Sequence, residues 1–237
     1  MTNPETQHPY RSAPSLDTDR LCIPYRGETR MRLSLSSGFA NGRIAIDPAA
    51  TDLVAIRCGD DLRPRLRVWT DEIAVSHHVT FGDWLRSMVR PADREMRIVL
   101  HPAVTWTLAI HGGLCAAAVD LTAGSVAYIE ISGGCSEARF DLPVAKLATP
   151  IQISGGASRV RVHRPAETGV AFAASGGVAT LRLDDDRFDA IGGAVQLSTR
   201  NLATSSTHYD LAITGGACDV AIERALQPAG VATSRTM

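Results

Sequence analysis

The stretch "IQISGGASRVRVHRP", residues 151–165, contains the pattern that decides the fold of this chain. Apolar and polar residues alternate on both sides of a corner at Gly155-Gly156, and a proline ends the second half. Alternation with a period of two is typical of a β-strand that has one buried face. Glycine permits a sharp turn and leaves no side chain to clash with a neighbouring copy. The stretch therefore predicts two short strands joined by a glycine corner.

The same pattern returns along the chain with a nearly constant spacing. The corners at Gly112, Gly133, Gly155 and Gly176 follow one another after 21, 22 and 21 residues. The count is about eight copies, and in the third copy His77-His78 takes the place of the glycines. A weaker copy lies at Gly192. The full set of corner glycines is Gly38, Gly59, Gly112, Gly133, Gly155, Gly176, Gly192 and Gly215.

A repeat of this length cannot bury its own inner face and must stack on its neighbours. We therefore predict an all-β fold over residues 28–225, a single-domain parallel β-solenoid (β-helix) of about eight coils of about 21 residues each. At about 4.8 Å per strand, such a stack would be roughly 40 Å long. The alternative is a sandwich of antiparallel hairpins. Hairpins favour two-residue Asn-Gly or Asp-Gly turns, and only Asn41-Gly42 has that chemistry.

The composition and net charge of the chain limit the cellular compartments and the classes of partner that we expect for it. A net charge of -1 gives no positive field for nucleic acid. Residues 1–27 are polar and lack the apolar segment of a signal peptide, and no apolar run reaches the length of a membrane span. The five cysteines include no CxxC pair. We expect disordered tails at 1–27 and 226–237, a cytoplasmic location and no membrane insertion.

The third copy is interrupted by an insertion at residues 79–93. In it Phe81, Trp84, Leu85, Met88 and Val89 follow the spacing of one helix face. This face either packs against the flank of the stack or forms a contact site for a partner. Aromatic anchors of this kind often dominate protein interfaces.

The same corner contains the candidate metal ligands. His77 and His78 form the third corner, and His111 precedes the fourth. If the third and fourth copies stack directly, these three imidazoles converge, with Asp83 above them, and could hold zinc or another divalent metal. The competing interpretation is a set of surface histidines without metal.

Two polar features have simpler interpretations. The positions before the corners predict a ladder that satisfies backbone groups: Ser37, Cys58, Ser76, His111, Ser132, Ser154, Ser175 and Thr214. The run "LDDDRFD" supplies Asp184, Asp185, Asp186 and Asp189. Such a run is usually a solvated turn, and the alternative is a calcium site.

The copies "ISGGASRVRVHRP" and "VAFAASGGVATLRLDD" resemble the adhesin-type β-solenoid domains of bacteria, with their GGxxxVxV coils. The chain is also similar to a group of actinobacterial proteins with a WxLxIxGG coil, a tryptophan-bearing insertion and a YDLxITGG terminal coil. Those pieces are present here as residues 106–113, Trp84 and residues 209–216. The resemblance covers about residues 30–224. It implies the fold and implies no specific activity.

These observations favour a non-enzymatic, cytoplasmic β-solenoid without a cofactor. We expect it to act as a scaffold or protein-interaction module that binds a protein partner or self-associates, end to end or side to side. The alternative is a metal-binding β-helix protein or enzyme with its site at the corner of His77, His78 and His111.

Overall fold

The computed structural model describes residues 15–17, 20–59, 64–76 and 95–225. Within these ranges the chain is all-β, with one 3-10 turn at Leu202–Thr204. The strands are β1 (Ser15–Asp17), β2 (Arg20–Pro24), β3 (Arg30–Leu35), β4 (Phe39–Ile46), β5 (Asp52–Cys58), β6 (Arg65–Val68), β7 (Glu72–Ser76), β8 (Met96–Leu100), β9 (Thr105–His111), β10 (Leu114–Asp120), β11 (Ser125–Ser132), β12 (Cys135–Asp141), β13 (Ala148–Ile153), β14 (Ala157–Arg164), β15 (Gly169–Ala174), β16 (Val178–Leu183), β17 (Asp186–Ile191), β18 (Val195–Ser198), β19 (His208–Ile213) and β20 (Ala217–Arg224).

The strands form two mixed sheets. Sheet A has the order β1-β2-β5-β8-β4-β10-β12-β14-β20-β16-β17, and sheet B has the order β18-β15-β19-β13-β11-β9-β3-β7-β6. Consecutive strands from β3 to β20 form pairs that place one strand in each sheet, and the pairs follow one another in the same order in both sheets. We call each pair a layer and name it by its two strands. In space the layers run β5/β6, β7/β8, β3/β4, β9/β10, β11/β12, β13/β14, β19/β20, β15/β16 and β17/β18.

The prediction of a uniformly parallel stack holds only between the ends. The seven layers from β7/β8 to β15/β16 pair in parallel in both sheets. The outermost layers, β5/β6 and β17/β18, pair antiparallel with their neighbours. The reason is the connection: after β4 and after β16 the chain stays in sheet A and turns back, so the next strand must run the opposite way.

Chain order and spatial order also differ, which the sequence did not predict. Layer β7/β8 lies between β5/β6 and β3/β4, and layer β19/β20 lies between β13/β14 and β15/β16. The expectation that the third and fourth copies stack directly on each other is therefore wrong, because layer β3/β4 separates β7/β8 from β9/β10.

The glycine corners of neighbouring layers are in close backbone contact. A Cβ added at Gly155 would lie 2.6 Å from the carbonyl oxygen of Gly133, and one at Gly215 would lie 2.8 Å from the carbonyl carbon of Gly155. Gly112 has a φ of +97°, in the left-handed region that favours glycine. Close backbone stacking therefore requires glycine at these corners.

The core lies between the two sheets as one apolar cluster. It is mainly aliphatic, and its largest buried side chains include Trp106, Phe140, Phe172 and Tyr209. Both polar aromatic groups have partners: the Trp106 indole donates to the carbonyl of His101 at 3.0 Å, and the Tyr209 hydroxyl donates to the carbonyl of Pro143 at 2.8 Å. The polar atoms of these two aromatic side chains are thus satisfied within the core.

The N-terminal boundary lies earlier than the sequence indicated. The predicted tail at 1–27 includes Arg20–Pro24, which forms β2 and pairs antiparallel with β5 in sheet A. These five residues of the predicted tail are therefore part of sheet A. No helix within the described ranges is long and apolar enough to cross a membrane.

Candidate interaction surface

A row of arginines crosses the outer face of sheet A. Successive register partners from β2 to β17 are Arg20, Arg57, Arg97, Arg43, Ala118, Arg139, Arg161, Ala221, Arg182 and Arg187. Eight of these ten positions hold arginine, and we call the set the arginine row. At about 4.8 Å between strands, the row is roughly 43 Å long.

The row lies on the solvent side because each arginine alternates with residues that face the core. Ile98 follows Arg97, Phe140 follows Arg139 and both are buried. The side chains of the seven arginines with a carboxylate partner are 40% to 63% exposed. Their guanidinium groups are therefore open to a partner.

Carboxylates interleave with the arginines. Seven arginines of the row have an Asp or Glu partner within 2.8 to 3.2 Å. The pairs are Arg20–Asp52, Arg97–Glu95, Arg43–Asp120, Arg139–Asp141, Arg161–Asp219, Arg182–Glu223 and Arg187–Asp189. Like charges directly opposite each other on neighbouring strands destabilise a sheet. The carboxylates reduce this repulsion and keep the guanidinium planes in place.

One of these carboxylates lies between an arginine and a histidine. Asp141 accepts hydrogen bonds from Arg139 at 2.8 to 3.1 Å, and its Oδ1 lies 2.8 Å from Nδ1 of His163 on the next strand. Burial by itself raises the pKa of Asp141, but the hydrogen bonds with Arg139 and His163 outweigh burial and hold this pKa below its ordinary value of 3.8. Asp141 is therefore ionised at neutral pH.

The aspartate run covers the turn after β16, with Asp184 and Asp185, and part of β17, with Asp186 and Asp189, and each carboxylate has an arginine partner. Asp184 accepts from Arg164 at 2.5 Å, Asp185 from Arg224 at 2.6 Å, Asp186 from Arg200 at 2.7 Å and Asp189 from Arg187 at 3.2 Å. No cluster with the geometry of a metal site occurs among the described residues. The run forms a set of ion pairs there, which the sequence did not predict.

Arg164 is the buried member of this cluster. Its side chain is 0% exposed, and its Nη1 donates to the carbonyls of Pro165, Ala166 and Thr168. Burial lowers the pKa of this guanidinium, and Asp184 opposes that effect. Arg164 therefore ties the loop after β14 to the turn before the outermost layer.

His111 lies in a hydrogen-bonded group with a serine and a glutamate. Its Nδ1 lies 3.1 Å from Oγ of Ser132, and Ser132 Oγ donates to Glu130 Oε1 at 3.4 Å. A serine nucleophile needs the histidine between the hydroxyl and the carboxylate, and here the hydroxyl lies in the middle. The group is thus a polar stack at the corner.

The metal and insertion hypotheses depend on residues outside the described ranges. His77 and His78 lie there, as do Asp83 and the apolar face with Phe81, Trp84, Leu85 and Met88. The layer order removes the direct stacking that was to bring His111 to the His77-His78 corner. Both hypotheses stay predictions.

Sequence reasoning missed the arginine row, although one signal was available. Arg139, Arg161 and Arg182 each lie six residues after the first glycine of their corner. A column at that offset would have predicted three neighbouring arginines. It would not have placed Arg57 or Arg187, because their strands run the other way, or Arg20, which precedes the first corner glycine, Gly38.

Comparison with known proteins shows the fold. No family model matches the chain. No match is found among curated proteins. Among solved structures, a "putative cell adhesion protein" from Clostridium sporogenes has a TM-score of 0.56 at 14% identity, with 87% of this chain and 98% of that chain covered. A "putative adhesin" from Bacteroides fragilis is 12% identical over 88% of this chain and 98% of that chain, with a TM-score of 0.27. The Clostridium protein thus shares the two-sheet architecture.

Proposed function

We propose that this chain is a non-enzymatic interaction module that contacts a partner protein through the arginine row. The observation that carries the proposal is the register of eight arginines across one sheet face. Arginine is enriched in protein interfaces, and a flat sheet face offers the broad area that such contacts use. The Clostridium neighbour bears a cell-adhesion name, which agrees with a role in binding.

The contribution of these ion pairs to folding stability does not by itself explain why eight arginines are aligned in the row. Exposed ion pairs contribute only about 0 to 1 kcal/mol each, and the row brings like charges together at some cost. Each guanidinium has five N–H donors, so the pairing carboxylates leave donors free. Arg182, for example, makes one hydrogen bond, with Glu223 at 3.0 Å. We infer a partner surface rich in carboxylates and carbonyl oxygens.

A matched pair of variants tests this proposal. The double variant Arg139→Gln/Arg161→Gln removes two neighbouring charges from the row, and Arg65→Gln/Arg67→Gln removes two from β6 of sheet B. We expect the partner captured by the unmodified chain to be lost with the first variant and kept with the second, as measured by quantitative pull-down. Circular dichroism would verify that both variants are folded. Equal retention by both would refute the role of the row.

We infer that self-association, the scaffold form of this function, uses sheet faces and not the ends of the stack. The outermost strands are short or charged: β1 has three residues, β6 and β18 have four each, and β17 contains Asp186, Arg187 and Asp189. Such edges discourage pairing with another sheet. Light scattering over a concentration series would test this: growth into long filaments would contradict it.

We further propose that the chain is a solenoid-like scaffold and that it is located in the cytoplasm. The parallel run from β7/β8 to β15/β16 supports a solenoid-like scaffold whose two ends are closed by reversed layers. The cytoplasmic location stays a prediction, and cell fractionation with an antibody against the folded chain would test it.

A further inference from the structure

One end of the arginine row forms a trough. Arg20, Arg57 and Arg97 are direct register partners on β2, β5 and β8. Their side chains border a cavity of 330 Å³, which is at the lower end of the range for small-ligand pockets. Ala55 and Val99, the next outward-facing register pair, also line it. Ala55 is buried and Val99 is half-buried, so these two short side chains are partly covered by the longer ones around them.

The middle arginine of the trough differs from the rest of the row. Arg57 has no carboxylate partner among the described residues. Arg20 pairs with Asp52 at 3.0 Å, and Arg97 pairs with Glu95 through two hydrogen bonds of 2.8 and 3.0 Å. An uncompensated guanidinium thus lies between two paired ones, and it supplies the free positive charge of the trough.

The trough also contains acidic groups. Asp47 and Asp52 line it. The carboxylate of Asp52 is bound by Arg20, and Asp47 Oδ1 accepts a hydrogen bond from the backbone N–H of Ala49 at 2.8 Å. Together with Glu95, which pairs with Arg97, the two aspartates equal the three arginines in number, but among these arginines Arg57 alone lacks a carboxylate partner within the described residues. A bound anion must therefore lie on the arginine side, over Arg57.

We propose that this trough binds a phosphate group, supplied by a small phosphomonoester or by a phosphorylated side chain of the partner. Guanidinium groups bind phosphate oxygens through paired, charge-assisted hydrogen bonds. A phosphomonoester carries close to two negative charges at neutral pH and offers three oxygens, so more than one arginine can bind it. The inference rests on the proposed function, because it gives the chemistry of one contact at the end of the row.

Calorimetric titration of the full chain tests the site. The ligands are inorganic phosphate and phosphoserine, with serine as the control, at constant ionic strength. We expect both phosphates to bind and serine not to bind. Arg57→Gln should weaken phosphate binding at least tenfold. The matched control Arg139→Gln removes an arginine of the same row that lies outside the trough, and it should bind phosphate as the unmodified chain does.

Two results would overturn the proposal: no phosphate binding by the unmodified chain, or an equal loss in the Arg57→Gln and Arg139→Gln variants. A blocked tripeptide with a central phosphoserine distinguishes the sources. Tighter binding of the peptide than of inorganic phosphate supports a phosphorylated partner, and equal binding supports a free phosphomonoester. The partner test above changes Arg139 and Arg161, which do not line the trough. Failure of the phosphate site therefore leaves that test intact.

Discussion

The middle of the stack and its two ends follow different rules. In the middle, layers pair in parallel and their glycine corners touch: a Cβ at Gly155 would lie 2.6 Å from the next layer. At the end, layer β17/β18 pairs antiparallel, and a Cβ at Gly192 would meet nothing within 4 Å. A middle layer must fit a neighbour on each side in both sheets, whereas layer β17/β18 fits one neighbour. The glycine corners are therefore tightly packed in the middle of the stack and loosely packed at the end formed by layer β17/β18.

The largest effect is expected at Arg164, which joins a middle layer to the end of the stack. Arg164→Met leaves the carboxylate of Asp184, 13% exposed, without its main partner. Breaking a buried ion pair costs about 3 to 5 kcal/mol of the free energy of unfolding. Arg200→Met removes an exposed partner of Asp186 and should cost less than about 1 kcal/mol. Urea denaturation measures the free energy of unfolding of both variants. Similar losses in the two variants would contradict the role of Arg164 in joining a middle layer to the end of the stack.

Substitution of two corner glycines tests whether the corners in the middle of the stack are packed more tightly than the corner at its end. Gly155→Ala forces a methyl group against the backbone of Gly133, and we expect a loss of about 2 to 3 kcal/mol. Gly192→Ala meets open space and should change stability by less than about 0.5 kcal/mol. Thermal denaturation of the two variants is sufficient. Equal destabilisation would show that the end corner is packed as tightly as the middle ones.

A pH series compares two aspartates that each follow an arginine by two residues, Asp141 in the middle and Asp189 on the edge strand. Because the folded-state pKa of Asp141 lies below 3.8, its ionised form stabilises the fold at neutral pH, and this stabilisation is lost as the pH falls through the folded-state pKa. Asp141→Asn should cost about 1 kcal/mol at pH 7 and nothing in strong acid. Asp189→Asn, at a 60% exposed side chain, is the control and should have little effect at either pH. A loss at Asp141 that does not vary with pH would contradict the ion-pair explanation.

The smallest effect concerns thiol reactivity in the unmodified protein. Burial raises the pKa of Cys135, in a middle layer, to about 12, and that of Cys58, in an end layer, to about 11. Cys115 and Cys218 are exposed. Alkylation followed by mass spectrometry should therefore modify Cys115 and Cys218 first, Cys58 next and Cys135 last. Faster labelling of Cys135 than of Cys58 would mean that the middle opens more readily than the end.

Much of the local structure could be predicted because it depends on short patterns. Period-two alternation predicted strands, and the glycine pairs lie where strands change sheet, as at Gly133 and Gly155. The aspartate run was interpreted as a turn, which holds for Asp184 and Asp185 but not for Asp186 and Asp189, which belong to β17. The reversed layers were missed because the pattern of apolar and polar residues contains no information about strand direction. Strand β5 has four consecutive buried residues and β17 has none, and either pattern is compatible with both directions.

The sequence by itself determined the strands, the corners and the apolar face of each copy, because side-chain alternation and glycine geometry act within a few residues. Only the tertiary structure decided which copies are neighbours, since equivalent copies offer nearly equivalent partners and the connections choose among them. That choice inserts β19/β20 between β13/β14 and β15/β16 and brings Arg161 and Arg182 onto the two sides of Ala221. The arginine row and the trough around Arg57 result from the pairing of strands that are distant in sequence. The register of these strands aligns side chains that no local sequence pattern connects.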